Sequence, residues 1–514
     1  MIRKTAFLLL LLVSLLFHCN AESVLIYARG EDSKKLDPAD VVDGESVKVI
    51  VNVFETLVTY AEDSADIVPA LAEKWEVSKD GKSWTFKLRP NVKFHDGTAF
   101  NAEAVRFSLD RLLNPKNSYR FEGTFGYAGS YKMIDSIEVV DELTVRFSLK
   151  HPTVIFLPNL AMFPACIISP AAMKKHGNKF FRNPVGTGPF VFRQWRPKRK
   201  IVLTANPNYW GGKAGCDSIV FVPVKENASR ALQLERGKIH MMDGVDFTDI
   251  GRLKKQNGVT VKTAPGMNMA YLAMNCDVKP FNDVRVRQAV AFAVNRKKIL
   301  KLAYHGYGQP GVNPLPPTVW GYHSGIEARA TNSGNGRQLL KQAGFPNGFK
   351  TQLWAMPNPR PYMPQPRQVA QVLKESLKEI GIEVQIVSYD WNQYLDRTAN
   401  GEHPMCLLGW STDNADPDNF LYELLDKDKA VKGSANNVCF FRNDRVHEVL
   451  VAAQKEFDRK KRKSLYWEAQ SIIHRESPMI PLAYLPIVAA YSSRVKGYKI
   501  HPTGIVRLFK VRLD

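Results

Sequence analysis

Two polar stretches of this 514-residue chain carry charges suited to recognition chemistry. The first is Met356-Pro357-Asn358-Pro359-Arg360-Pro361-Tyr362-Met363-Pro364-Gln365-Pro366, with five prolines in eleven residues. Proline fixes φ, so Arg360 is displayed from a stiff loop that loses little freedom on binding. Its planar guanidinium could hold a carboxylate by two parallel hydrogen bonds, or simply stand in solvent. The second stretch is Gly409-Trp410-Ser411-Thr412-Asp413-Asn414-Ala415-Asp416-Pro417-Asp418-Asn419-Phe420. Asp416 before Pro417 has the form of an N-cap with Pro at the first helical position, and Asp418 adds first-turn charge. Asp413 lies upstream of that cap. Its one local duty would be an Asx-turn with Asn414 or Ala415. A calcium loop is unsupported, since Gly is missing at the sharp-turn position of an EF-hand.

Catalytic machinery is not legible. The eleven histidines include no His-Glu-x-x-His pair and none spaced three or four apart, so a helical metal site lacks its ligands. Neither Gly-x-Ser-x-Gly nor a phosphate-cradling Gly-x-x-x-x-Gly-Lys-Ser/Thr occurs. His95-Asp96-Gly97 is read as a turn between extended runs. Cys166, Cys216, Cys276, Cys406 and Cys439 are far apart and form no Cys-x-x-Cys, which gives neither a zinc set nor a redox pair. Buried free thiols are expected. The chain is thus expected to be no enzyme, with no cofactor and no metal.

The elements that must position these loops follow from periodicity. Val369, Val372, Leu373, Leu377 and Ile380 fall at helical spacing, and Gly381 suits a left-handed C′ position. Ile382, Val384 and Ile386 then alternate as a strand does. A second helix is expected from Val284 to Leu302, capped by Asn282 or Asp283. Helix followed by strand, repeated, predicts α/β layers. Residues 60–180 differ: Trp84–Leu88 and Thr144–Leu149 read as strands, Asp80-Gly81 and Asp96-Gly97 as turns, and Asn101–Leu112 as a short helix. That texture predicts an inserted α+β subdomain.

Composition sets the outer bounds. With 45% apolar and 11% aromatic residues, disorder, collagen and coiled-coil classes are excluded. Arg3 and Lys4, an apolar run from Ala6 to Phe17, and Cys19-Asn20-Ala21 predict a signal peptide over residues 1–21, cleaved after Ala21. Lipid attachment at Cys19 is disfavoured by the bulky Phe17-His18 before it. The formal charge of +21 is spread along the chain. Its short runs, Lys198-Arg199-Lys200 and Arg459-Lys460-Lys461-Arg462, carry no nucleic-acid-binding signature, so a solvated basic surface is expected. Attraction to an anionic membrane face is the functional alternative.

The chain also resembles bacterial extracellular solute-binding proteins of the peptide/nickel class (family 5), especially their dipeptide-binding branch. The broad pattern lies in Pro69-Ala70-Leu71-Ala72-Glu73-Lys74-Trp75, Val92-Lys93-Phe94-His95-Asp96-Gly97, Gly186-Thr187-Gly188-Pro189-Phe190, Asn208-Tyr209-Trp210-Gly211, Val284-Arg285-Val286-Arg287-Gln288-Ala289 and Pro316-Pro317-Thr318-Val319-Trp320. The Arg-Pro-Tyr loop and the Gly-Trp-x-x-Asp-Asn-x-Asp-Pro-Asp-Asn-Phe loop are the more specific marks. The resemblance implies that Arg360 holds a peptide carboxylate and Asp413 its ammonium, with Tyr362, Trp391 and Trp410 lining the pocket. It implies an α/β, two-lobed periplasmic-binding-protein fold with a hinge and an extra inserted α+β domain. Lobe one would be 22–59, 181–268 and 485–514, the inserted domain 60–180, and lobe two 269–484. The implied role is the periplasmic substrate-binding component of an ABC transporter, a monomer that delivers dipeptides or short peptides to an inner-membrane permease. Haem, a haem precursor or an antimicrobial peptide is the rival ligand within the class. A secreted hydrolase would need an activated nucleophile that is not visible, and nucleic acid is not expected as a partner.

Overall fold

The computed structural model describes residues 22–121, 123 and 125–514. The expected signal peptide and Cys19 lie outside the described residues. Two large sheets organise the chain. The first has seven strands in the order Val259–Pro265, Pro486–Ser492, Met241–Met242, Val24–Arg29, Ser218–Pro223, Lys200–Ala205 and Phe190–Arg196. The second has six, in the order Gln309–Pro310, Met479–Tyr484, Asn268–Met274, Met405–Ser411, Phe349–Trp354 and Ile382–Val387. Asn268–Met274, Met405–Cys406 and Leu353 are buried along their length, as expected for central strands covered on both faces.

The chain passes between the sheets twice, from Pro265 to Asn268 and from Tyr484 to Pro486. Asn268 ties the two crossings together. Its Nδ2 donates to the Leu485 carbonyl at 2.9 Å, and the Leu485 amide donates back to its Oδ1 at 3.1 Å. Gly266 is required at this approach, since a Cβ there would lie 2.8 Å from the Leu485 carbonyl oxygen.

A separate four-stranded antiparallel sheet, Ala72–Val77, Ser83–Leu88, Thr144–Leu149 and Ile134–Asp141, carries the helix Ala102–Leu113. Asn101 caps that helix by accepting from the Ala104 amide at 3.1 Å. Trp84, Phe86, Phe147 and Phe156 form its aromatic core, with edge-to-face contacts at 5.4–5.5 Å between Trp84 and Phe156 and between Phe86 and Phe147.

The helix Pro366–Lys378, the left-handed Gly381 (φ +89°) and the strand Ile382–Val387 lie where the periodicity placed them. Gly97 likewise takes φ +85° in the turn after His95. The long helix expected from Val284 to Leu302 is instead two, Val284–Ala293 and Arg296–Ala303. Asn295 divides them by accepting from the Lys298 amide at 2.9 Å, a capping role that competes with helix continuation. All five cysteines from Cys166 onward are free thiols, four buried and Cys276 half-buried. Among the described residues no helix is long and apolar enough to cross a membrane.

Candidate ligand-binding site

The two charged loops leave neighbouring strands at the same end. Phe349–Trp354 runs parallel to Ile382–Val387 on one side and to Met405–Ser411 on the other. Their C-terminal ends therefore deliver three segments to one edge of the sheet: the proline-rich loop with Arg360 and Tyr362, the helix Trp391–Ala399, and the loop from Trp410 to Asp418. In α/β sheets ligands settle at this edge, where loops diverge from parallel strands. Arg360, Tyr362, Trp391, Trp410 and Asp413 all line one cavity of about 930 Å³.

Arg360 is set by its own loop. Its amide donates to the Met363 carbonyl at 3.1 Å and the Met363 amide returns the bond at 2.9 Å. The guanidinium lies 3.8 Å from the centroid of Trp391, a cation–π contact. Trp391 in turn stacks on Tyr394 at 5.9 Å and 11°. Arg360 Nε is buried without a hydrogen-bond partner, and among the described residues Arg360 makes no ion pair. Leaving such a donor unmet is unfavourable by about 1–3 kcal/mol. Tyr362 packs against the backbone of Gly409, where a Cβ would fall 2.1 Å from its Cδ2. Glycine is thus needed before Trp410. Burial pushes the Tyr362 hydroxyl up to about 12, with Arg360 opposing, so it stays a neutral donor.

Asp413 makes no Asx-turn through its carboxylate. Tyr127 donates to Oδ1 at 3.1 Å and Asn419 Nδ2 to Oδ2 at 3.3 Å. Asn419 Oδ1 accepts from both Trp410 Nε1 and the Asp413 amide at 2.9 Å. One amide side chain therefore orients both site residues. Burial pushes the Asp413 carboxyl up to about 6, against these hydrogen bonds. Among the described residues no lysine or arginine pairs with it.

The carboxylate of Asp416 makes the expected capping bond and a buried ion pair as well. The helix begins at Asp418, with Pro417 in the capping position. Asp416 receives Arg462 Nη1 at 2.9 Å and Nη2 at 2.6 Å while still accepting from the Asp418 amide at 3.0 Å. Arg462 is therefore not part of a solvated basic run. Asp418 is also buried and accepts from Gln454 Nε2 at 2.9 Å. Burial, then the Asp416 charge, pushes its carboxyl up to about 7.

Tyr127, Asn159 and Asn419 escaped the reading of the sequence as site residues. Asn159 Oδ1 accepts from Asn414 Nδ2 at 2.7 Å. With Tyr127 it brings the segment beside the four-stranded sheet against the Asp413 loop. Asn419 had a signal, its place in the loop motif, whereas nothing around Tyr127 or Asn159 marks them locally.

The sequence profile described as "Bacterial extracellular solute-binding proteins, family 5 Middle" matches residues 66–432. The chain belongs to that family. Among its relatives, the dipeptide-binding protein of Escherichia coli (strain K12) is 36% identical over 470 residues, 88% of each chain. Heme-binding protein A of Haemophilus influenzae is 35% identical, over 96% of this chain and 93% of its own length. Among solved structures, an ABC transporter-associated periplasmic binding protein from Helicobacter pylori in complex with the peptide STSA is 38% identical. It superposes with a TM-score of 0.84 over 96% of this chain and 98% of that one. The two-lobed architecture of family 5 solute-binding proteins is thus the architecture of this chain.

Proposed function

We propose that this family 5 protein is the periplasmic binding component of an ABC transporter that captures dipeptides by their terminal charges. The observation that carries the reading is the pair Arg360 and Asp413. They have opposite charge, neither has an ionic partner among the described residues, and both line one aromatic-walled cavity. A dipeptide is a zwitterion whose side chains vary while its termini do not. One fixed cation and one fixed anion select the termini and leave side chains free. A longer peptide strands one terminus without its partner, an arrangement unfavourable by several kcal/mol once desolvated. Trp391 and Trp410 exclude water and strengthen both pairs.

In this reading lobe one comprises 22–59, 181–268 and 485–514, the inserted domain 60–180 and lobe two 269–484. Ligand held on lobe two favours a closed form about the crossings at Gly266 and Leu485, a hinge-type population shift. The exported, monomeric protein then hands its ligand to an inner-membrane permease, without catalysis. Micromolar affinity, about −8 kcal/mol, suffices for capture and release.

Calorimetric titration of the mature protein with di-, tri- and tetra-alanine, after unfolding and refolding to strip bound ligand, is the test. Micromolar binding of dialanine that is lost in Asp413→Ala and Arg360→Ala supports the terminal-charge clamp. No binding of any peptide, with saturable binding of haem, moves the assignment to the ligand named for the Haemophilus relative.

A further inference from the structure

No residue of the basic run Arg459–Lys463 lines the cavity of Arg360 and Asp413, and the fold accounts for only part of the run. Arg462 is buried against Asp416. Arg459 lies 4.9 Å from the Trp320 ring and Lys463 4.9 Å from the Trp467 ring. Lys460 and Lys461 stand exposed in the first turn of the helix Arg459–Glu476. There they oppose the positive end of the helix dipole, which favours acids. Among the described residues neither makes an ion pair. Behind the hydrogen bond from the Lys461 amide, their charges help to hold the capping Asp458 carboxyl below the usual carboxylate range, but neither ammonium group is bound to a carboxylate.

These lysines extend a larger basic surface. Just before the helix, Phe457 is 47% exposed and stacks on Trp84 at 6.4 Å. Gly81 is held so near that a Cβ there would lie 2.9 Å from the Phe457 ring. The Val154 amide donates to the Gln454 carbonyl at 2.9 Å across the same seam. Lys82, Lys150 and Lys455 consequently surround His151, holding its imidazole below the usual range after burial itself. All three lysines are exposed, and among the described residues none is ion-paired. Asp80, Glu456 and Asp458 keep their negative charges here while bonding to neutral donors, Asp80 to Ser78 and the Lys82 amide, Glu456 to the Asp458 amide and Asp458 to the Lys460 and Lys461 amides. The five lysines thus outnumber three acids.

We infer that this surface, Lys82, Lys150, Lys455, Lys460 and Lys461 around the exposed ring of Phe457, docks on an anionic phospholipid bilayer. The chemistry is complementary on both counts: clustered unpaired ammonium groups meet the headgroup charge, and a projecting aromatic ring enters the interface. His151 and Gln454, beside this surface, also line the cavity of Arg360 and Asp413. The attraction is weak and reversible and falls with salt.

The test is sedimentation of the full mature protein with vesicles of phosphatidylcholine alone or with about 30% phosphatidylglycerol, at low and high salt. The expected result is binding to the anionic vesicles alone, abolished by salt. It should fall roughly twentyfold or more in Lys460→Ala/Lys461→Ala, at about fivefold per lysine, and fall also in Phe457→Ser. Lys254→Ala/Lys255→Ala, which removes the same charge from another exposed site, should bind like the wild type. Absence of binding to anionic vesicles at low salt overturns the inference, as does an equal loss in the Lys254/Lys255 variant. Failure to bind vesicles, together with a salt-sensitive interaction with a detergent-solubilised permease that the Lys460/Lys461 variant loses, also overturns it and assigns the surface to an acidic protein face.

Discussion

Tyr127 donates its hydroxyl to Asp413 Oδ1 at 3.1 Å, across 286 positions of sequence. The bond joins the segment beside the four-stranded sheet to the loop that carries the acidic half of the site. A hydrogen bond to an ionised group contributes about 1.5–3 kcal/mol. Tyr127→Phe is therefore expected to weaken dialanine binding by about tenfold or more while the protein stays folded. Calorimetry that found unchanged affinity would remove Tyr127 from the site.

The raised carboxyls give affinity and stability opposite pH dependences. Asp413, pushed up to about 6, must be ionised to hold an ammonium group, so dialanine affinity should decline as pH drops through that value. Stability of the ligand-free protein runs the other way. The folded state keeps the protons of Asp413 and of Asp418, pushed up to about 7, to higher pH than the unfolded chain does. Their contribution is full at pH values below the usual carboxylate range and is lost as pH rises through about 6 to 7. The melting temperature of the stripped protein should fall over that window, and Asp413→Asn should flatten the fall. A melting profile unaltered by the substitution would refute the assignment.

Arg360→Lys keeps the charge and loses the fork. The lysine ammonium cannot offer two parallel donors or the same flat stack on Trp391, whose ring the Arg360 guanidinium now covers at 3.8 Å. Affinity for dialanine should fall by about tenfold to a hundredfold, the equivalent of 1.4–2.8 kcal/mol. A lysine variant that bound as well as the wild type would show that simple charge is enough.

The Asp416–Arg462 pair is structural and should respond differently. Both side chains are nearly buried, 4% and 7% exposed, so Asp416→Asn leaves a buried guanidinium without its counter-ion. A loss of about 3–5 kcal/mol is expected, read as a lower denaturant midpoint with an unchanged slope. If the midpoint does not move, the pair lacks this role.

Gly409→Ala tests the closeness of two loops. The added methyl would meet the Tyr362 ring at 2.1 Å and the Met269 carbonyl oxygen of the paired strand at 2.6 Å, so both ring and strand must shift. Peptide affinity should fall, and the denaturant midpoint with it. An alanine variant with native affinity would mean that ring and strand adjust without disturbing the cavity.

Much was legible before any coordinates. Proline density made the Arg360 loop stiff, apolar spacing placed the helix Pro366–Lys378 and the strand Ile382–Val387, and Asp413 stood out as a carboxylate without a local task. These properties belong to neighbouring residues, whose φ/ψ limits and side-chain periods act over a few positions. Even at this range the spacing from Val284 to Leu302 merges two helices, because the apolar pattern continues through Asn295, which caps the second.

Tertiary structure alone decided how the charges meet. Arg360 and Asp413 face one cavity because their strands, Phe349–Trp354 and Met405–Ser411, lie side by side and parallel. Strand adjacency depends on which surfaces bury each other, which no local pattern states. The same holds for Asp416: its position before Pro417 suggested the bond it makes to the Asp418 amide, but not that Arg462, 46 residues away, would share the carboxylate inside the core. Chain chemistry determined which groups this protein could offer. Long-range packing determined which remained free to take a ligand, because a buried charge keeps whichever partner the fold brings within reach.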